Sequence, residues 1–330
     1  MFNEELKNEF IHKMTDSHTS ISRGSKLFSL SCPYEEKFGK DLCEFTDEEM
    51  TEFFSNKGGM RRATRVESEY LINKYLAWAK QNGFNVVCSG VKYDENVLVQ
   101  RYRDKVVFNP DHLNRYMDAV FGSVDDGTSG LVCRCYLWLA FCGVDIESAM
   151  RLDESNVDIK LMRVVVNGRE VPLYAEAIDS FARLKPLTEF RVFHPNYPDK
   201  VIMVPRESGT RFLRGAKRSG ISKAELDEKR FTLSAEVKRR TGTAVKKGIV
   251  TTRLNFSNVK LSGVFYRMSI REAMGIKPDF SAVAALDIEG KTFASNLSYN
   301  SSISRIRVAY TKDYELWKAA YELYKEDSRL

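Results

Sequence analysis

Hydrophobic residues recur every three or four positions between residues 45 and 121, which is the spacing of amphipathic helices. Thr46 carries the start signal of a first helix, and Thr64 with Glu67 forms the capping-box signature of a longer one. A further helix is indicated over residues 111–121. The pattern predicts a small, all-helical first domain over residues 45–121.

The segments that flank this helical domain have a different composition. Residues 1–44 combine a short helical pattern with a stretch rich in Ser, Thr and Gly, and they predict a loosely packed N-terminal arm. Residues 122–130 read Gly-Ser-Val-Asp-Asp-Gly-Thr-Ser-Gly, which is typical of a linker. Residues 131–330 are therefore predicted to form a second domain.

The second domain changes from helical to strand-like periodicity and back. Its first helix, 131–141, is almost entirely apolar, and Asn167-Gly168 between two β-branched runs is a strong hairpin signal. A helix over 175–184 and strand-like sequence over 189–205 follow, and helix predominates from there to the C-terminus. We predict a mainly α fold (α+β) with a small β-sheet in the second domain.

The C-terminal stretch 310–324 predicts an amphipathic helix with a stripe that includes Leu316, Trp317 and Ala320. Two interpretations of the stripe are open. It packs on its own domain, or it docks on a second copy of the chain and forms a dimer.

Composition excludes several classes of protein. The 330 residues are 43% hydrophobic and 29% charged, as in a globular chain. The longest apolar run has nine residues, about half of the ~20 needed to span a bilayer, and the acidic N-terminus lacks the features of a secretory signal. We expect a cytoplasmic protein of a bacterial host, associated with the nucleoid and not with a membrane.

Neither cysteine nor histidine spacing indicates a cofactor. The six cysteines contain no CxxC pair and lie partly in apolar helical sequence, which favours buried, reduced thiols. None of the four histidines has another ligand at a zinc-site spacing. No metal or cofactor is expected.

Positive charge is concentrated in one part of the chain. The net charge is +6, yet the window from Arg206 to Arg253 alone carries 14 Lys and Arg against five acids, a local charge of +9. Such charges can simply solvate helix faces, but the asymmetry favours a polyanionic partner, because clustered bases gain affinity by releasing counterions. Double-stranded DNA is the polyanion we expect, because the family resemblance described below implies the same partner.

Candidate DNA-binding residues fall into three groups. They are a cluster at the start of the long helix of the first domain, the basic window, and one face of the helix that follows it: Arg61, Arg62 and Arg65; Arg206, Arg211, Arg214, Lys238, Arg239, Arg240, Lys246, Lys247 and Arg253; and Lys260, Arg267 and Arg271. For each group the alternative is an ordinary solvated surface.

The block that begins the second domain resembles a known family. An apolar helix is followed by Cys142-Gly-Val-Asp-Ile-Glu-Ser-Ala-Met-Arg-Leu152, by Asn156-Val-Asp158, and by a hairpin that ends in Val171-Pro-Leu173. This order resembles the start of the catalytic domain of tyrosine recombinases (phage integrases). The preceding helical domain is similar to their core-binding domain. The resemblance implies a two-domain clamp around DNA.

The positions of the family's catalytic residues are occupied by other residues here. Asp145 stands where the resemblance places the first catalytic arginine, and a carboxylate repels the phosphate that an arginine would stabilise. Ser257-Asn-Val-Lys260 fits the family's His-x-x-Arg box, and Leu286-Asp-Ile288 fits its Leu-Gly-His box.

A tyrosine is the remaining candidate for chemistry. Tyr299 lies near the place of the family's nucleophile, with Tyr310 behind it, and no histidine follows His194 to act as acid or base. We therefore predict that no residue is catalytic and that Asp145, Ser257, Lys260, Ile288 and Tyr299 mark a degenerate site.

Three functions remain in competition. The first is a sequence-specific DNA-binding protein that has lost strand cleavage and acts as a transcriptional repressor or regulator of a prophage or mobile element, with a regulatory protein as a further expected partner. The second is a divergent active recombinase. The third is an accessory architectural factor for a separate integrase.

Overall fold

The computed structural model describes residues 2–14, 18–56, 62–91, 95–123, 129–194, 197–215, 229–287 and 295–327. The chain divides into two compact units, Met1–Leu98 and Val99–Leu330. Most described residues are helical, and the two small sheets lie in the second unit. The prediction of a mainly α fold with a small β component is confirmed. Within the described residues no helix is both long and apolar enough to cross a membrane.

The first unit consists of helices and one short 3-10 turn. Its elements are α1 (Glu4–Met14), α2 (His18–Phe38), the turn Leu42–Glu44, α3 (Asp47–Asn56), α4 (Arg62–Gln81) and the start of α5 (Glu95–Arg103). Thr46 caps α3 as predicted, because its hydroxyl accepts the Glu49 N–H at 3.3 Å and the Glu49 carboxylate accepts the Thr46 N–H at 2.8 Å.

Aromatic residues of α1 and α2 form the centre of the first core, which corrects the prediction of a loose arm over residues 1–44. Phe10 and Phe28 are buried against Tyr75 of α4, with ring centroids 5.3 and 4.9 Å apart and edge-to-face geometry. Burial of these rings stabilises helices whose Ser, Thr and Gly content is unfavourable for a helix in isolation.

A buried ionic cluster ties the same segment to the rest of the unit. Lys7 Nζ lies 2.6 Å from Glu35 Oε1 and 2.8 Å from Asp41 Oδ2, and all three side chains are inaccessible to solvent. The Ser31 hydroxyl donates to Glu35 at 2.7 Å, and the Tyr75 hydroxyl donates to Asp41 at 2.8 Å. Polar residues that look like surface positions in the sequence are therefore part of the interior.

The second unit surrounds a central helix with helices and two small antiparallel sheets. Its elements are the rest of α5, α6 (Pro110–Phe121), α7 (Gly130–Phe141), α8 (Ile146–Arg151), a 3-10 turn (Glu154–Asn156), β1 (Val157–Asp158), β2 (Arg163–Val166), β3 (Arg169–Pro172), α9 (Ala175–Leu184), β4 (Glu189–His194), β5 (Tyr197–Pro205), α10 (Lys229–Lys246), α11 (Phe256–Ala273), α12 (Ser281–Asp287) and α13 (Asn296–Asp327).

Helix α7 forms the centre of this unit, and every one of its residues is buried, as its apolar sequence predicts. Helix α11 crosses it closely at Gly263, where a Cβ would lie 1.9 Å from the Phe141 carbonyl oxygen. The one charged residue of α7, Arg134, donates to Asp118 at 2.6 Å, to Asn114 at 2.7 Å and to the Gly122 carbonyl at 3.1 Å. The buried charge is thereby compensated.

The predicted hairpin is confirmed in position and in turn type. Strands β2 and β3 pair antiparallel around Asn167 and Gly168, whose φ angles of 50° and 75° are those of a type I′ turn. Strand β1 completes this three-stranded sheet, and the predicted strands over 189–205 form a separate two-stranded sheet, β4–β5.

The boundary between the units lies earlier in the chain than the sequence suggested. Helix α6 was assigned to a first domain over 45–121, yet Leu113, Met117 and Phe121 lie in the same core as α7. Segment 122–130 therefore connects two helices of one core and does not link two domains; residues 124–128 of it lie outside the described residues.

The C-terminal stripe packs on its own unit. Leu316, Trp317 and Ala320 are buried, and the Trp317 indole donates to the Val107 carbonyl at 3.3 Å while its ring packs against Phe108. The interpretation in which this stripe docks on a second copy is corrected, because a side chain already buried in its own core is not available to a partner.

Candidate nucleic-acid interface

Helix α10 presents a basic face to solvent. Val237, Thr241 and Ala244 are buried on one side of the helix, which fixes its orientation on the unit. The opposite arc carries three exposed bases, Lys238, Arg239 and Lys246, and the exposed Lys247 follows directly after the helix; all four are predicted DNA-binding residues. Arg253, also exposed, lies against the same helix, since its guanidinium contacts the position of Gly242.

Four of these cations have no carboxylate partner among the described residues: Lys238, Lys246, Lys247 and Arg253. An exposed base without an internal counter-ion keeps its full charge for an external anion, whereas an ion-paired base must first lose its partner. The four residues therefore form an exposed group of bases within the basic window, and their contact with an anion stays a prediction.

The two arginines in the middle of α10 are paired with Glu236. Arg239 makes two hydrogen bonds to this carboxylate, at 2.8 and 2.9 Å, and Arg240 makes one at 2.6 Å. Hydrogen bonds from Arg239 and then from Arg240 lower the pKa of Glu236 to about 2, against the opposing effect of burial. Arg240 also donates to the Ser129 hydroxyl at 2.9 Å, so it joins α10 to the start of α7, and its contact with DNA stays a prediction.

Three predicted DNA-binding arginines, Arg206, Arg211 and Arg214, have structural roles instead. Arg206 is buried and donates to the Leu184 carbonyl at 2.9 Å, at the end of α9, and lies 3.0 Å from Glu154. Arg214 pairs with the same carboxylate at 2.6 Å. Arg211 donates to the Arg151 carbonyl and has Asp153 beside it. Their partners are loop carboxylates and helix-terminal carbonyls, which satisfy the charge internally.

Asp145 begins helix α8 and stays ionised. Its carboxylate accepts the Ser148 N–H at 2.9 Å, which is the usual role of an N-cap aspartate. Burial opposes ionisation, but the hydrogen bonds from Ser148 and the nearby Lys260 ammonium lower the pKa of Asp145 below its ordinary value. A negative charge therefore stands where the resemblance places an arginine.

Lys260 is held by a second carboxylate. Its Nζ lies 2.9 Å from Asp287 Oδ1, and the Tyr310 hydroxyl donates to Asp287 Oδ2. Asp287 thus accepts hydrogen bonds from both Lys260, a predicted phosphate ligand, and Tyr310, a possible nucleophile. Asp145 also lies close enough for its pKa to be lowered by the Lys260 ammonium, so Lys260 interacts with two carboxylates. The contact of Lys260 with DNA stays a prediction.

The other predicted positions of the degenerate site are Ser257, Ile288 and Tyr299. Ser257 is exposed on the first turn of α11, Tyr299 is exposed near the start of α13, and Ile288 lies outside the described residues. The residue that sequence reasoning missed is Asp287. It occupies the middle of the Leu286-Asp-Ile288 box, so the acidic residue itself was the available signal.

The remaining candidates divide between structure and surface. Arg267 donates to the Phe141 carbonyl at 2.7 Å and so caps the C-terminus of α7, and its contact with DNA stays a prediction. Arg271 is exposed in the last turn of α11. Arg61 lies outside the described residues, as do the side chains of Arg62 and Arg65 in the first turn of α4, and these three residues stay predictions.

Comparison with known proteins gives one family and distant structural neighbours. A family described as the MrpR N-terminal core-binding domain matches residues 1–81, which includes the segment predicted as an arm. The crystal structure of XerA recombinase is 13% identical, with a TM-score of 0.33, over 92% of this chain and 98% of that chain. The integrase from mycobacterium phage Brujita is 10% identical, with a TM-score of 0.30, over 96% of this chain and 91% of that chain. A search of curated proteins finds no match.

Proposed function

We propose that this chain binds double-stranded DNA on a tyrosine-recombinase-like scaffold, does not cut DNA, and acts as a transcriptional repressor or regulator of a prophage or mobile element. The observation that carries the DNA-binding proposal is the exposed face of α10, where Lys238, Lys246, Lys247 and Arg253 keep charges that no described carboxylate neutralises.

Two further observations support DNA as the polyanion. The first unit contains the match to a core-binding domain family over residues 1–81, and the 142–173 block resembles the start of a recombinase catalytic domain. A chain that combines these two parts with an unpaired basic face has what binding to a duplex requires, namely phosphate contacts from more than one element.

The absence of cleavage is proposed from the charge around Lys260. A recombinase must stabilise the charge that develops on a phosphate, and removal of one such donor costs about 2.7–4 kcal/mol of transition-state stabilisation. Here the ammonium of Lys260 forms an ion pair with Asp287, and ionised Asp145 lies nearby. In the alternative, a divergent recombinase, Tyr299 or Tyr310 attacks DNA. That reaction requires the ion pair between Lys260 and Asp287 to break first.

The binding proposal is tested with a duplex selected by the protein from genomic fragments. The triple variant Lys238→Glu, Lys246→Glu and Lys247→Glu is expected to weaken binding at least about a hundredfold, because three phosphate contacts become repulsive. The matched control is Lys160→Glu, Lys277→Glu and Lys312→Glu, three exposed lysines elsewhere in the second unit with the same change in net charge. Equal losses in both triples would remove α10 from the interface.

The cleavage proposal is tested with a nicked suicide duplex that traps a tyrosyl adduct. We expect no covalent product from the wild-type chain. An adduct that disappears in Tyr299→Phe or Tyr310→Phe would establish the active recombinase instead.

A reporter assay separates the regulator from the accessory factor. With the selected duplex placed in a promoter, a regulator changes expression when the chain is the only phage-type protein present. An accessory factor leaves the reporter unchanged and stimulates recombination by a separate integrase.

A further inference from the structure

The backbone on both sides of Arg253 is fixed by one buried hydroxyl. Tyr116 of α6 donates to the Thr252 carbonyl at 2.8 Å and accepts the Leu254 N–H at 3.3 Å. Burial raises the pKa of Tyr116 to about 12, so the hydroxyl keeps its proton over the physiological range. Leu254 is itself fully buried, and its carbonyl accepts the Thr241 hydroxyl of α10 at 3.4 Å. Arg253 therefore extends from a rigid part of an otherwise exposed loop.

The guanidinium of Arg253 lies over a glycine in helix α10. A Cβ built on Gly242 would be 3.4 Å from Cζ, 3.4 Å from Nη2 and 3.5 Å from Nε of Arg253. Since the three atoms are almost equidistant, the planar group faces the helix backbone. The Arg253 Nη2 also lies 3.4 Å from the Lys238 carbonyl oxygen.

Gly242 is not required by the backbone conformation of α10. It lies inside an 18-residue helix, and its φ angle is not in the left-handed region. Glycine is one of the poorest helix formers, so a glycine at a half-buried helical position where any residue fits the backbone needs another explanation. A Cβ at this position would touch the Arg253 guanidinium at van der Waals distance, so a longer side chain would compete with it for space.

We propose that Tyr116 and Gly242 are positioning residues that hold Arg253 in place before DNA arrives, so that the edge of its guanidinium binds one backbone phosphate. This proposal rests on the proposed function. Planar guanidinium groups bind phosphate oxygens through two parallel N–H donors, and a group that is already oriented loses less freedom on binding. Lys238 and Lys246, on the same helix face as Gly242, supply flexible charges on either side.

Arg253→Ala tests the phosphate contact. We expect about tenfold weaker binding to both the selected duplex and an unrelated duplex, and a slope of log affinity against log salt that is smaller by about one. Arg253→Lys should recover only part of the loss, since lysine lacks the planar pair of donors. A loss confined to one sequence would assign Arg253 to a base edge and overturn the phosphate contact.

Gly242→Met tests the positioning role. Methionine is a good helix former, so thermal unfolding should occur at the same or a higher temperature, while affinity falls several-fold because the side chain competes for the space of the guanidinium. The decisive comparison is a double-mutant cycle: the effect of Gly242→Met should vanish in the Arg253→Ala background. An equal effect in both backgrounds would overturn the proposal.

Two controls complete the design. Thr243→Ala changes the neighbouring exposed residue, whose hydroxyl donates to the Arg239 carbonyl at 3.0 Å, and it should leave affinity unchanged. Tyr116→Phe should weaken binding in the same direction as Gly242→Met, but it also leaves two buried backbone groups unpaired, so Gly242→Met carries the decision. If the lysine triple weakens binding and the Arg253 and Gly242 variants do not, only this proposal fails; if none of them does, the proposed function fails as well.

Discussion

At the scale of single residues, the role of each base is decided by the carboxylate that the fold places beside it. Arg214 pairs with Glu154, 60 positions away, and Lys260 pairs with Asp287, 27 positions away. Local sequence identifies the charges but not these distant partners. The sequence therefore locates the basic window, but it does not reveal that Arg206, Arg211 and Arg214 are paired with carboxylates of the same unit.

Asp287→Asn tests the strength of the ion pair between Asp287 and Lys260. Both side chains are mostly buried, so the loss of a charge-assisted hydrogen bond should lower the free energy of unfolding by about 1–2 kcal/mol. Denaturant unfolding of the full chain measures the change. The control is Asp111→Asn, which removes an exposed pair with Arg115 and should cost less than about 0.5 kcal/mol. Equal costs would show that the Asp287 pair is no stronger than a surface pair.

Glu236 gives stability a dependence on acid pH. Its pKa is about 2 in the folded chain and 4.5 ordinarily, so the folded state favours the ionised form. The resulting stabilisation is fully present above pH 4.5 and is lost as the pH falls towards 2. With solvent screening at this partly exposed site we expect about 1 kcal/mol. Glu236→Gln should remove this part of the pH profile, and an unchanged profile would contradict the assignment.

At the scale of secondary-structure elements, short sequence motifs predicted the elements whose conformation depends mainly on neighbouring residues. The Asn167-Gly168 hairpin, the apolar helix α7 and the cap at Thr46 depend on neighbouring residues, and all three were predicted. Helix α2 was missed because its stability comes from burial of Phe28 and Glu35 against distant residues, which overrides weak helix propensity.

Trp317→Ala tests whether α13 belongs to the core of the second unit. The ring is fully buried and contacts Phe108, so its removal should cost about 3–5 kcal/mol. Lys312→Ala, on the exposed side of the same helix, should change stability by less than about 0.5 kcal/mol. If Trp317→Ala left unfolding unchanged and instead altered oligomeric state, the helix would dock in trans after all.

At the scale of the whole molecule, the net charge of +6 understates the positive electrostatic potential at the surface of α10, where a DNA duplex is proposed to bind. Pairing within the chain removes several bases of the window from outside contact, including Arg206, Arg214 and Arg240. What remains on α10 is a compact group without described counter-ions. The slope of log affinity against log salt measures how many such charges contact phosphates, because each neutralised phosphate releases condensed counterions.

The four unpaired cations of this group set the expected salt dependence. If Lys238, Lys246, Lys247 and Arg253 each neutralise one phosphate, the slope of log affinity against log salt is about −3.6, and affinity falls about a hundredfold between roughly 50 and 200 mM salt. Fluorescence anisotropy with a labelled duplex measures the slope. A slope twice as steep would require further bases, and charge reversal of Arg61, Arg62 and Arg65 would then show whether the first unit supplies them; a slope near zero would exclude the phosphate backbone as the main source of affinity.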